Sequence, residues 1–257
     1  MIATKNDIPA LREGGKRLAR VLRTVAHAAV PGASTADLNT LAEKLIRDQG
    51  DVPVLIGYTP HGAERPYPAT LCVSLNDEVV HGIPNEHPRI IEAGDIVSLD
   101  CVLSHERLMV DAAITMLAGN GEPEHDKKAR ALFKATEEAL KAGIEAARSG
   151  NHIGDISAAI EAVGVEAGYG IVFELGGHGV GNAVHEEPYI PNVGDAGTGV
   201  ELVPGMVIAI EPMFTEGTPR VELMPDGYTF KTKDGSRAAH FEHTVLVTDG
   251  APEILTA

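Results

Sequence analysis

Cysteine is scarce in this chain, cationic side chains are outnumbered, and long apolar runs are missing. Each shortage removes a class of function. The only two cysteines in 257 residues, Cys72 and Cys101, each lie inside an apolar, strand-like run. They read as buried free thiols, because a disulfide scaffold or a thiolate metal site would need more of them. Lysine and arginine number 21 against 37 acids, a formal charge of −16. That balance argues against broad nucleic-acid binding and leaves the protein able to attract cations. No apolar stretch reaches the roughly 18 residues that would span a bilayer, so no membrane partner is expected. The opening Met1-Ile2-Ala3-Thr4-Lys5 has no signal-peptide apolar core and leads into a polar helix pattern. The expected location is cytoplasmic.

What is present is an ordinary globular composition, 44% hydrophobic and 23% charged, with one pattern that occurs twice. Gly94-Asp95-Ile96-Val97-Ser98-Leu99-Asp100 and Gly205-Met206-Val207-Ile208-Ala209-Ile210-Glu211 are each a glycine, a β-type run and a terminal carboxylate. An acid that ends an apolar run on an inward face is costly unless it is paired or binds a cation. Two such runs suggest a duplicated scaffold that aims carboxylates at one shared point.

Periodicity predicts a helix over Asp7–Ala29, with Ile8, Leu11, Gly15, Leu18, Leu22 and Val25 on one stripe. Arg12, Lys16, Arg20 and Arg23 lie off it and form a basic outer face, read as solvated or as a docking face for ribosomal RNA. Ser34 or Thr35 caps a second helix with Leu38, Leu41 and Leu45, ending at Gly50. Residues 51–69 read as loop; Thr70–Leu75, Asp95–Leu103 and Leu108–Leu117 read as strands. Past a Gly119–Pro123 linker, helices are expected at Glu124–Arg148 and Asp155–Ala167, then a glycine-rich segment at Gly176–Gly181. Strands near Val207–Glu211, Arg220–Leu223 and Glu242–Thr248 finish the chain. Gly32–Leu38 parallels Gly150–Ile156, and Asp100 parallels Glu211. We therefore expect one catalytic domain over 1–257 with an internal pseudo-repeat, about 7–118 and 124–249.

A hairpin at Ser104-His105-Glu106-Arg107, centred between His105 and Glu106, would set Asp100 directly opposite Asp111. Two carboxylates at about 4 Å repel by roughly 4 kcal/mol at an effective dielectric near 20. A shared proton or a cation must offset that. Glu211 and Glu242 also end or open apolar runs, so four carboxylates point at one region, as oxygen ligands for hard or borderline cations. His81, His178 and His185 are the histidines in glycine-flanked or strand-end contexts. An added imidazole biases such a site toward Mn, Fe(II), Co or Zn. His61, His87, His105, His125, His152, His240 and His243 read as structural or solvated.

Ordered motifs run through the chain: Asn76-Asp77-Glu78-Val79-Val80-His81-Gly82-Ile83-Pro84, Gly177-His178-Gly179-Val180-Gly181, His185-Glu186-Glu187-Pro188, Pro204-Gly205-Met206, Ile210-Glu211-Pro212-Met213 and Phe241-Glu242-His243-Thr244. With these the chain resembles the type I methionine aminopeptidases. The resemblance implies an α+β pita-bread (creatinase/aminopeptidase) fold, with two pseudo-symmetric halves and a curved, mainly antiparallel sheet covered by helices. It implies two divalent ions (cobalt, manganese, iron or zinc), with Asp111 and Glu242 bridging, Asp100 on one ion, and His178 and Glu211 on the other. Glu211 would shuttle the proton, while His81 and His185 contact the scissile amide. The substrates would be peptide and nascent-chain N-termini, and the protein a monomer.

The side-chain pocket departs from the family. Family members often carry a cysteine before the Gly-Tyr, an aromatic before the second histidine and a tryptophan after Asp-Gly. Here Leu55, Val184 and Tyr228 stand in those places, with Tyr58 and Tyr67 as further walls. The loop Thr59–Pro66 is longer than usual for the family. Two other readings are an Xaa-Pro aminopeptidase or prolidase of the same fold, which usually has an extra N-terminal domain, and a non-catalytic adaptor, which should lack metal ligands.

Overall fold

A computed structural model describes all 257 residues. Helices α1 (Ile8–Ala28) and α2 (Thr35–Asp48) precede strands β1 (Val52–Pro53), β2 (Leu71–Leu75), β3 (Glu78–Val80), β4 (Ile96–His105) and β5 (Leu108–Leu117). Helices α3 (Pro123–Ala146) and α4 (Ile153–Ala167) follow, then β6 (Gly170–Ile171), β7 (Gly176–Gly179), β8 (Glu186–Pro191), β9 (Val207–Ile210) and β10 (Met213–Thr215). The chain closes with β11 (Val221–Leu223), β12 (Phe230–Thr232), β13 (Ala238–His240), β14 (Glu242–Leu246) and β15 (Glu253–Ile254). Helices and antiparallel strands mix in the α+β manner expected.

The α1 stripe is buried as its spacing predicts, at Leu11, Gly15, Leu18, Leu22 and Val25. The Cβ of an alanine at Gly15 would lie 2.0 Å from the Leu255 carbonyl oxygen, so the helix meets the C-terminal segment backbone to side-chain-free backbone. Ser34 caps α2 by accepting from the Ala36 N–H. The α2 core stripe is Leu38, Ala42 and Ile46, while Leu41 and Leu45 are only half-buried. On the outer face of α1, Arg12 is held by Glu253 at 2.6 Å, which removes one of the four basic residues from any docking surface.

Nine strands form the main sheet, with a central order β1-β4-β5-β14-β9-β7-β8, β2 beside β4 and β15 beside β14. One apolar core lies under α1 and α2 and contains Leu99, Cys101, Leu103, Val110 and Ala112. A second lies under α3 and α4 and contains Ile208, Ile210 and Val245. On β4 and β5 the alternate residues Asp100, Val102 and Asp111 line the other face. Both cysteines are free and buried.

The hairpin register differs from the expectation. His105 pairs with Leu108, so Asp100 stands opposite Ala113 and Asp111 opposite Val102. The turn is made by Glu106 and Arg107, both at positive φ (48° and 72°). A two-residue turn of that kind matches the twist of the strands. Asp100 and Asp111 are therefore diagonal neighbours on one face, not a directly opposed pair. The glycine-rich segment also proves to be a strand, β7, between β8 and β9. A Cβ at Gly177 would fall 2.2 Å from the Ala209 carbonyl oxygen, so only a residue without a side chain fits there. The two repeated runs share one local form: Gly94 and Gly205 take φ of 91° and 93°, and a strand begins two residues after each.

Candidate active site

Register brings the acids together. Asp100 on β4 faces Ala113 on β5, and Ala113 faces Glu242 on β14. Glu211 follows β9 directly, and the next β9 residue back, Ile210, pairs with His243. His178 on β7 pairs with Ala209. Small side chains at Ala113 and Ala209 leave room between the larger polar ones.

Asp111, His178 and Glu242 are all buried, and each brings a donor atom to within 4.8 Å of the other two. His178 Nε2 lies 3.7 Å from Asp111 Oδ2 and 3.6 Å from Glu211 Oε1. Its Nδ1–H donates to the Gly179 carbonyl at 2.9 Å, which turns the Nε2 lone pair toward the carboxylates. Asp111 Oδ1 and Glu242 Oε1 are buried with no hydrogen-bond partner. Acceptor atoms that face one another without a donor call for a cation between them. The donor set of carboxylates and one imidazole fits a divalent metal.

The protonation directions agree. Burial pushes Asp111 well above the usual carboxylate range, and Asp100 and Glu211 push it further. Glu242 is raised in the same way by burial, then by Asp111 and Glu211. Asp100 is raised by burial, against the pull of His240 and His81. Burial also pushes Glu211 up, but contact with His240 and the fields of His178 and His81 outweigh it, and Glu211 ends below its usual value. Without a cation, these acids compete for protons.

Every residue singled out from the sequence lines one inner pocket of about 60 Å³. Its polar wall holds His81, Asp100, Asp111, His178, His185, Glu211 and Glu242. Its other wall holds Leu55, Tyr58, Tyr67, Val184 and Tyr228. The pocket opens onto a cleft of about 530 Å³ that also touches His81, His178, His185 and Glu211. His185 stands at the mouth with one edge open to solvent. Protein packed around its ring pushes its pKa down to about 4, with help from the His178 ring, whose centroid is 4.5 Å away. Its Nδ1 meets the Tyr58 hydroxyl at 2.9 Å. The Thr59–Pro66 loop is tied down by Arg65, which bonds Glu86 and the Asp226 carbonyl and accepts the Tyr228 hydroxyl on its own carbonyl.

Sequence reasoning missed Pro60, Cys72 and Val102, which also line the pocket. Cys72 pairs in register with Asp100 and Val102 with Asp111, so correct register would have found both. It also misjudged His240, whose Nε2 lies 3.3 Å from Glu211 Oε2. Its place two residues before Glu242, in extended chain, is a weak same-face signal.

Residues 9–249 match the family model of metallopeptidase family M24. A methionine aminopeptidase of Aquifex aeolicus is 45% identical over 255 residues, covering 98% of this chain and 97% of that protein. Methionine aminopeptidase 1 of Mycobacterium tuberculosis is 43% identical over 257 residues, covering 97% and 92%. The crystal structure of a Thermotoga maritima methionine aminopeptidase superposes with a TM-score of 0.92 at 39% identity, covering 100% of this chain and 98% of that one. A Pyrococcus horikoshii prolidase shares the fold alone, with a TM-score of 0.73 at 22% identity and 63% of its chain covered. The fold is the pita-bread fold, and this chain belongs to metallopeptidase family M24.

Proposed function

We propose that this chain is a methionine aminopeptidase that removes the N-terminal methionine of peptides and nascent chains in the cytoplasm. One observation carries the reading. A small pocket walled on one side by Leu55, Tyr67, Val184 and Tyr228 sits directly beside buried carboxylates whose Asp111 Oδ1 and Glu242 Oε1 have no hydrogen-bond partner. The near full-length likeness to methionine aminopeptidases supports it. We read residues 1–257 as a single catalytic domain whose two halves, 7–118 and 124–249, each supply acids to the site, and the protein as a monomer.

Asp100, Asp111, His178, Glu211 and Glu242 would hold two divalent ions. The mixed oxygen and nitrogen donors suit Mn, Fe(II), Co or Zn. Such ions, when bound, supply Lewis-acid polarisation and a water of lowered pKa. The protein's own groups do the rest. Glu211 accepts a proton from the attacking water and delivers it to the leaving amine. With the Tyr58 hydroxyl as donor, its 2.9 Å contact with His185 Nδ1 would leave the neutral ring's proton on Nε2, presented to the cleft. His81 and His185 donate to the scissile amide and stabilise the oxyanion of the tetrahedral intermediate.

The inner pocket takes the first side chain, and the wider cleft takes the following residues. Leu55, Val184 and Tyr228 alter the walls, and an apolar pocket discriminates by only about 1–3 kcal/mol per methylene. Release of methionine from Met-Ala-Ser, tested beside Leu-Ala-Ser and Ala-Pro-Ala, checks the reading. Release of methionine is the expected result, and the leucine peptide reads how far the altered walls broaden the choice of first residue. Cleavage of Ala-Pro-Ala without methionine release would overturn it in favour of an Xaa-Pro peptidase.

A further inference from the structure

His240 is 2% exposed, and neither ring nitrogen has a hydrogen-bond partner. Buried polar atoms are nearly always paired, so an orphaned imidazole asks for a role. Its Nε2 lies 3.3 Å from Glu211 Oε2. The other Glu211 oxygen, Oε1, lies 3.6 Å from His178 Nε2. The carboxylate is thus suspended between two rings, one oxygen toward each.

The backbone of His240 is fixed from both sides. Its N–H donates to Thr115 Oγ1 at 3.0 Å, and the same hydroxyl donates to its carbonyl at 2.6 Å. Ser98 Oγ backs that hydroxyl at 2.8 Å. His240 also pairs with Met213, the first residue of β10, which begins two residues after Glu211. One ladder therefore sets the spacing of ring and carboxylate. A neutral imidazole must place one N–H, and Glu211 is the acid facing Nε2.

We propose that His240 is a positioning residue, which donates Nε2–H to Glu211 Oε2 and thereby keeps Oε1 turned toward His178 and the cleft. The ring works by holding a ligand and proton carrier in one rotamer; it touches no substrate. The kinetic part of this proposal rests on the aminopeptidase reading, while the metal-affinity part does not.

The test compares His240→Leu, which fills similar volume without a donor, His240→Ala, and His240→Gln, which keeps a donor amide. Apo forms of the full chain are titrated calorimetrically with Mn²⁺, and kcat, KM and Tm are measured on the same samples. Partners that orient a ligand are worth about 10–100-fold in metal affinity or activity. His240→Leu and His240→Ala should lose about that much in Mn²⁺ affinity and in kcat, with KM within about twofold, and His240→Gln should recover most of both. Wild-type Mn²⁺ affinity in His240→Leu, or no recovery in His240→Gln, overturns the proposal even if Tm falls. A wild-type chain that binds Mn²⁺ but releases no methionine sinks the activity reading, and the affinity series still decides His240.

Discussion

Replacing Asp111 by asparagine should stabilise the metal-free protein and abolish its stabilisation by metal. The side chain keeps its shape and loses its charge. Its donor atoms lie within 4.8 Å of those of Glu242. Two charges at that separation repel by about 3.5 kcal/mol at an effective dielectric near 20. Both acids are raised above their usual pKa values by burial and mutual repulsion. The folded apo-protein thus holds protons more tightly than the unfolded chain. Stability from such a group is full below its unfolded value and is lost as pH rises through the folded one. Asparagine has no such dependence, so its advantage must grow with pH. For a chain of this size, about 2–4 °C accompanies each kcal/mol. Proton uptake already relieves part of the repulsion, so a gain of about 3–10 °C is expected at pH 8 and less than about 2 °C at pH 5. Thermal unfolding of the chelated proteins by circular dichroism at both pH values is the measurement. Adding Mn²⁺ should then raise Tm in the wild type alone. If Asp111→Asn were less stable than wild type at pH 8, or still gained stability from Mn²⁺, the convergence of unneutralised acids would not be the organising force of this site.

Glu211→Gln should leave Tm within about 2 °C and lower kcat by about 10²–10⁴-fold, the usual worth of a positioned acid–base group, as read by steady-state release of methionine. Tyr58→Phe removes the 2.9 Å bond to His185 Nδ1; the loss of about 0.5–1.5 kcal/mol should cut kcat/KM about 2–10-fold, and unchanged kinetics would show that Tyr58 does not orient the ring. Gly15→Ala would place a Cβ 2.0 Å from a backbone oxygen of Leu255; overpacking of about 1–3 kcal/mol should lower the urea midpoint without changing the fold of the remaining chain.

The parts legible in the sequence are those that local chemistry determines. The α1 stripe and the Ser34 cap are set within a few residues, and they stand where periodicity and capping place them. Asp100, Glu211 and Glu242 were visible because each ends or opens an apolar run, a conflict that a single segment displays, whereas Asp111 was reached through a hairpin register that the structure shifts. What tertiary contact decides was not visible. Strand β7 carries three glycines in four residues, and glycine has low β propensity; only the approach of Ala209 and Glu187 backbone oxygens explains the choice. Strands β10, β12 and β13 are three residues each, too short for alternation to register. His240 looked idle because Glu211, the acid its ring faces, lies in the link between β9 and β10, while His240 sits on β13.

The shifted hairpin decides which groups stand side by side at the site. Directly opposed acids on neighbouring strands have Cβ atoms about 4.5–5.5 Å apart, whereas diagonal ones stand about 7–8 Å apart. Glu106 and Arg107, by making the turn themselves, put Asp100 and Asp111 in the wider arrangement. Ala113 then faces Asp100 on one side and Glu242 on the other, so a methyl group occupies the middle of the row and the carboxylates reach over it. The space left is bounded by acceptors, including the orphaned Asp111 Oδ1 and Glu242 Oε1, and by the Nε2 lone pair of His178. Beyond burial, Asp111 is raised by its contact with Asp100, and Glu242 by its contact with Asp111, so a shared proton relieves these acids one pair at a time. Cations with several coordination positions can relieve more than one pair together.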